Sequence, residues 1–465
     1  MRKLTRNQRI YFGICKFGSS IFMQVVTIAL VYIYANHFLL PQNLNAIGNA
    51  IGKFVIAFSG FIFGYISDIL PESKWGRRKI FMWTGAPLLA ISFVMLFIPH
   101  YIIPIGQSTP IFIWLLVWNS MFNLFYGYLM TPYQAWMPEV TTEEDRVGMS
   151  GIQNISNLVA TIGGLGFTFF LTAELNKPFR LKEIDGNQIY SPGGISGSMG
   201  TVLFIAVIAF AVIEVALFLP ALLTIKEEPV VRKHRDIIRE FKVVLKNKNY
   251  VLWFVTQGIY SMGLTILTAL TFNLIIFLGL TGPIDFGIFA IAMFGTTMVS
   301  FIFWEKMSKR IGKRKGLLIS FAVLIVILPL TLVLGNIPLI PDNIETWIFG
   351  LFLGFGMSTT FLFPNAIIGD LADEDERLTS EPRAGMYTGF NSIPLNIFQA
   401  SAYLLIPFIY DPNDPSAGVG LKWLGPIVAV FFLLAIPTIL FGNYDPFLDK
   451  LKNGLKKKKK NKSLG

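Results

Sequence analysis

Charge is what this chain lacks most. Only 14% of its 465 residues are Asp, Glu, Lys or Arg, while 53% are hydrophobic. Soluble domains carry about 25% charged residues, so nearly every soluble enzyme fold of this length is excluded. Histidine is scarce as well, with only His37, His100 and His234. The first two fall at the outer ends of apolar runs and the third in a charged linker. No Ser/His/Asp set, HExxH or phosphate-loop motif can be assembled. The chain is therefore not expected to be an enzyme or an ATP-driven pump, and it calls for no cofactor and no metal. A single cysteine, Cys15, excludes an intrachain disulfide framework. The first apolar run is too long for a cleavable leader.

What is present is apolar sequence in long runs, each able to cross a hydrocarbon core of about 30 Å. The runs place helices near 10–38, 45–69, 80–104, 110–137, 149–173 and 199–224, then near 249–279, 284–305, 316–339, 345–370, 385–410 and 421–443. The expected fold is an all-α membrane protein with twelve transmembrane helices in two six-helix pseudo-repeats. Residues 1–225 form the first half, 226–248 a cytoplasmic linker, 249–445 the second half and 446–465 a basic tail. Net charge is +11, and almost all Lys and Arg fall in stretches on one side of this topology. That bias places both termini in the cytoplasm of a multi-pass cell-membrane protein, not on nucleic acid. The tail Lys456–Lys460 with Lys462 is a topology determinant or a contact for anionic membrane lipids.

The two halves repeat. Gly64 and Asp68 precede Gly76-Arg77-Arg78-Lys79 in the loop after the second span; Gly312-Lys313-Arg314-Lys315 follows the eighth. Arg146 after the fourth span matches Arg383 after the tenth, and Pro132 matches Pro364, all at nearly one offset. Two halves related by an axis along the membrane normal are the plan of one large class of secondary transporters. The Gly64 to Lys79 stretch resembles the loop motif of the major facilitator superfamily. More narrowly, SDILPESKWGRRK, TPYQAWMPEVTTEEDR and IIGDLADEDERLTSEPRAGMYTGF resemble the glycoside–pentoside–hexuronide:cation symporters, the melibiose-permease-like branch.

Physically, Asp68 at the end of the second span can accept hydrogen bonds from helix N-termini or Arg of the facing half. Contacts made in only one of two rocking states bias the exchange between them. The same reasoning covers Glu139 with Arg146 and Asp370 with Arg383. Gly76, Arg77, Arg78, Gly312, Lys313 and Arg314 join this gating set, with plain topology anchoring as the alternative.

Polar residues at helical spacing inside spans mark a wet face or interhelical contacts. Candidates for solute binding or coupling are Lys16, Ser20 and Gln24 on the first span, and Asn49 and Lys53 on the second. Asn123, Tyr126 and Gln134 follow on the fourth, Asn154 on the fifth, Gln257 on the seventh, and Asn391 and Asn396 on the eleventh. Lys53 is the sharpest of these. It lies about 14 Å into its helix at 1.5 Å per residue, where a cation costs about 2.5–3.5 kcal/mol on insertion scales. Glu214 in the sixth span is either a structural pairing or a proton carrier.

The resemblance implies a sodium site that this sequence does not carry. Where the family has an Arg followed three and seven positions on by Asp, this chain has Lys53, Ile56 and Gly60. Met130 stands where the family has an Asp, and Leu395 and Asn396 stand where it has a Lys. The expectation is a monomeric secondary transporter of a small polar solute, a sugar or glycoside, working by alternating access. Its coupling is to protons or absent, and not to sodium through that site. A hexuronate-like organic anion, or an amphiphile, is the alternative solute.

Overall fold

A computed structural model describes residues 4–71, 76–103, 107–141, 149, 152–153, 155–157, 159–161, 163–164, 166–168, 182–184, 187–189, 197–227, 237–278, 280, 283–338, 340–380, 384–412 and 417–445. The apolar runs fold as helices. They are α1 (Arg6–Asn36), α2 (Gln42–Ile69), α3 (Lys79–Phe97), α4 (Ser108–Val140) and α6 (Gly197–Thr224), with a shorter apolar helix, α5 (Ile155–Thr168), in the place of the fifth span. After them come α7 (Ile237–Lys246), α8 (Lys248–Phe277), α9 (Pro283–Ala290, continued through Ile291–Gly295 into Thr296–Ile311), α10 (Lys313–Ile327), α11 (Asp342–Thr379), α12 (Ala384–Ile409) and α13 (Ala417–Phe441). Among the described residues eleven helices are long and apolar enough to cross a membrane. With α5 they make the helical membrane fold that the runs anticipate.

Local chemistry sets the ends. Thr5 opens α1 with a reciprocal cap: its Oγ accepts from the Gln8 N–H at 3.3 Å while the Gln8 side chain accepts from the Thr5 N–H at 3.0 Å. Pro41 and Pro341 precede α2 and α11, fixing an extended entry. The third span stops at Phe97, shorter than the run to 104, because Pro99 starts a separate 3₁₀ turn. Three differences were not anticipated. The linker holds the amphipathic helix α7. Lys182–Ile184 and Asn187–Ile189 pair as a small antiparallel hairpin. Residues Ile291–Gly295 wind as a π segment within α9.

The chain falls into two compact units. The first comprises Met1–Lys233 with Thr268–Gly287 and Gln399–Leu421. In it α1 packs on α6, α2 on α4, and α3 on both α4 and α6. Aromatic rings fill the seams: Phe22 stacks on Phe93 with centroids 3.9 Å apart, and Phe12 on Tyr133 at 4.7 Å. Asn36 at the end of α1 donates to the Asn273 side-chain oxygen at 3.2 Å, within this same unit. The second unit comprises His234–Leu267, Ile288–Phe398 and Lys422–Gly465. There α11 packs against α9 and α10. The π segment meets α11 where Thr297 donates to both the Met293 and Gly354 carbonyls, at 2.8 and 3.0 Å. A π turn leaves backbone groups out of the regular ladder, and Thr297 takes up one of them.

Candidate functional site

The two basic loops are built alike. Gly76 and Gly312 both adopt positive φ, +87° and +92°, a conformation that costs L side chains energy and glycine none. Each glycine turns the chain directly into a helix start, α3 and α10, whose first N–H groups lack intrahelical partners. In the first unit the Glu227 carboxylate takes those donors, accepting from the backbone N–H of Arg77, of Arg78 at 2.8 Å and of Lys79 at 2.9 Å. In the second unit Asp445 does the same, accepting from Lys313 N–H at 2.7 Å and Arg314 N–H at 2.9 Å. Both acids follow the last helix of a six-helix set, α6 and α13.

A second carboxylate in each unit takes the side chains. Glu139 at the end of α4 accepts from Arg77 and Arg78 guanidinium groups, each at 2.6 Å. Arg78 is 5% exposed and also donates to Ser67 Oγ at 2.8 Å. Asp370 on α11 pairs with the Lys313 ammonium, and the Arg314 guanidinium donates to the Leu440 carbonyl. Among the described residues Glu139 thus binds Arg77 and Arg78, and Asp370 binds Lys313. Gly64 lies in α2 beside Thr131. The Asp68 side chain, Arg146 and Arg383 lie outside the described residues, as does Asn154. Glu227 and Asp445 are the residues that sequence reasoning missed.

The polar stripes resolve into two kinds. On α2 the exposed stripe is apolar: Ile47, Phe54, Phe58, Phe61, Ile62 and Tyr65. Asn45, Asn49 and Lys53 recur every four residues, roughly a third to half a turn away from it at 100° per residue. Asn45 donates to the Val31 carbonyl of α1 at 2.8 Å, and Asn49 to the Asn45 side chain at 2.9 Å. Asn119 donates to the Gly48 carbonyl at 3.1 Å and Asn123 to the Asn119 side chain at 2.9 Å. Asn45 and Asn119 thus join α2 to α1 and α4, as polar groups commonly do between membrane helices, while Asn49 and Asn123 bond within their own helices. Ser20 likewise donates to Asn157 of α5 at 2.7 Å.

Lys53 behaves otherwise. It is half-buried and makes no hydrogen bond or ion pair among the described residues. Lys16, also half-buried, is equally uncommitted, and Gln24 and Tyr126 are half-buried while Gln134 is exposed. In the second unit Gln257 on α8 and Asn391 on α12 are buried, each with a side-chain carbonyl oxygen that has no hydrogen-bond partner among the described residues. Asn396 is spent locally, on the Ser392 carbonyl at 2.8 Å. No group of three or more metal-ligating side chains occurs among the described residues.

The family description MFS/sugar transport protein matches residues 11–409. The chain belongs to that family. An uncharacterized symporter of Synechocystis sp. is 24% identical over 470 residues, covering 83% of this chain and 82% of its own. A candidate sulfoquinovose importer of Salmonella typhimurium is 23% identical over 168 residues, 35% of this chain and 34% of the relative. Among solved structures, a D-xylose–proton symporter superposes with a TM-score of 0.61 at 12% identity, over 93% of this chain and 97% of the other. That similarity carries the fold alone. Family membership and fold together make this MFS protein a multi-pass secondary transporter of a small, sugar-like solute.

Proposed function

We propose that this transporter carries a sugar-like solute bearing a negative charge, by alternating access, with Lys53 as the residue that holds the charge. The observation behind this is the state of Lys53: an ammonium inside a membrane span with no hydrogen-bond or ion-pair partner among the described residues. An intramembrane cation is tolerated where a partner, water or ligand compensates it. A neutral sugar offers only hydroxyls, whereas a carboxylate or sulfonate offers the charge that Lys53 lacks. The partly matching relative described as a sulfoquinovose importer concerns an acidic sugar, which is consistent. Within the second unit, the buried carbonyl oxygens of Gln257 and Asn391, unpartnered among the described residues, are able to accept hydrogen bonds from hydroxyl groups. Lys16, Ser20, Gln24, Tyr126 and Gln134 complete the proposed polar set.

The clamps at the two basic loops hold Arg77, Arg78, Lys313 and Arg314 in place. In this reading they stiffen each unit as it moves and keep the basic side in the cytoplasm, with both termini. The chain acts as a monomer, since the solute-binding residues proposed here come from one copy. Counterflow in proteoliposomes tests the solute class. Preloaded D-glucuronate should drive faster exchange of labelled D-glucuronate than D-glucose does of labelled D-glucose. Exchange of glucose alone would reject the charge requirement.

A further inference from the structure

Glu214 sits in α6 ten residues before its end, about 15 Å deep at 1.5 Å per residue, and is fully buried. Its Oε1 accepts from Ser19 Oγ of α1 at 2.5 Å. Its Oε2 has no hydrogen-bond partner and lies against Gly18, where any Cβ would collide with it. Among the described residues this carboxylate has one neutral donor and no ion pair. Ionised, it would be poorly compensated in an apolar interior; neutral, it fits.

Its surroundings leave one group able to answer its charge. The titratable groups within electrostatic range of it are Cys15 and Lys16 on α1 and Tyr133 on α4. The Cys15 thiol donates to the Tyr11 carbonyl at 3.2 Å, and Tyr133 to the Phe12 carbonyl at 2.6 Å. On α3 the titratable group, Lys79, donates to the Leu222 carbonyl at 2.7 Å. The described part of α5, which meets α6 at Phe167 and Phe210, carries no titratable residue. Among the described residues around it, Lys16 alone is charged and without a hydrogen bond or ion pair.

We infer that Glu214 is a proton-binding site of the transport cycle, whose charge moves Lys16 between the carboxylate and an anionic solute. Uptake of one proton from water forms one O–H bond and turns the carboxylate into the neutral acid. Lys16 is then free for the solute on the Ser20–Gln24 face of α1. Loss of the proton restores the negative charge, which draws Lys16 back and away from the solute. Proton and anion therefore favour one another's binding, as reciprocal coupling requires. The role of Lys16 rests on the anionic-solute reading; the protonation of Glu214 does not.

Infrared difference spectra of the full-length protein in lipid test the site without any solute. Wild type minus Glu214→Gln should show the C=O stretch of a protonated carboxylic acid that bleaches as pH rises. In Lys16→Gln that band should persist to higher pH, because the cation favouring ionisation is gone. The glutamine keeps the acceptor for Ser19, so the fold is retained. A band that never appears, or never bleaches, overturns the proposal. Uptake of D-glucuronate then tests coupling: an inward proton gradient should stimulate wild type and leave Glu214→Gln unstimulated. Equal stimulation of both overturns the coupling. Failure of wild type to exchange glucuronate at all rejects the solute reading, while the infrared titration still decides the proton site.

Discussion

Asp445 accepts the backbone N–H of Arg314 at 2.9 Å, and Glu227 accepts that of Arg78 at 2.8 Å in the other unit. One device thus serves both halves of the repeat. An acid from the segment after the last helix of the set satisfies the orphan donors at a helix start, where the helix dipole also favours negative charge. Replacing either acid by alanine leaves donors uncapped, at about 0.5–2 kcal/mol by the measure of helix caps. Thermal unfolding in detergent should show a lowered midpoint for Glu227→Ala and for Asp445→Ala. No change in both variants would mean that water caps these helices equally well.

The Glu139 clamp should weigh more than an exposed pair on the same side. Arg77 and Arg78 side chains are 11% and 6% exposed, while Lys309 and Glu305 are 72% and 62% exposed. Removing one partner of a buried pair costs about 3–5 kcal/mol, because the other charge stays buried. An exposed i,i+4 pair contributes about 0.3–0.5 kcal/mol. Glu139→Gln should therefore lower the unfolding midpoint well beyond Glu305→Gln. Equal shifts would contradict the burial of this charge cluster.

His37 caps the end of α1, and burial lowers its pKa from the ordinary value to about 4. The fold thus keeps the imidazole neutral while the unfolded chain binds a proton below about pH 6.5. Between those values the unfolded state holds more protons, so stability rises with pH there. Acidification from pH 6.5 toward 4 should destabilise wild type more than His37→Gln. Parallel pH profiles of the unfolding midpoint would refute this.

Much of the fold was legible because apolar length is a strong signal: α1, α2, α4, α6 and α8 begin and end within a few residues of their runs. The basic loops were legible for the same reason, since Gly76 and Gly312 sit in matching clusters. What closes those loops was not. Glu227 and Asp445 read as ordinary loop acids, and nothing in their spacing says that they reach a helix start far away in sequence. The contacts of Glu139 with Arg77 and Arg78 and of Asp370 with Lys313 were not legible either, because nearness along the chain pointed to Arg146 and Arg383, which lie outside the described residues. The helix α7 was hidden by its high charge, although its apolar residues recur at helical spacing. The asparagines show the limit most clearly: Asn49, Asn123 and Lys53 share one kind of pattern. Only the three-dimensional arrangement separates amides spent on neighbouring asparagines of their own helices from an ammonium with no such bond among the described residues.

The most direct test of the central claim compares Lys53→Ala and Lys53→Arg with wild type in glucuronate and glucose counterflow. The account predicts that Lys53→Ala loses glucuronate exchange, that Lys53→Arg keeps part of it, and that neither changes glucose exchange selectively. Unaltered glucuronate exchange in Lys53→Ala would contradict it.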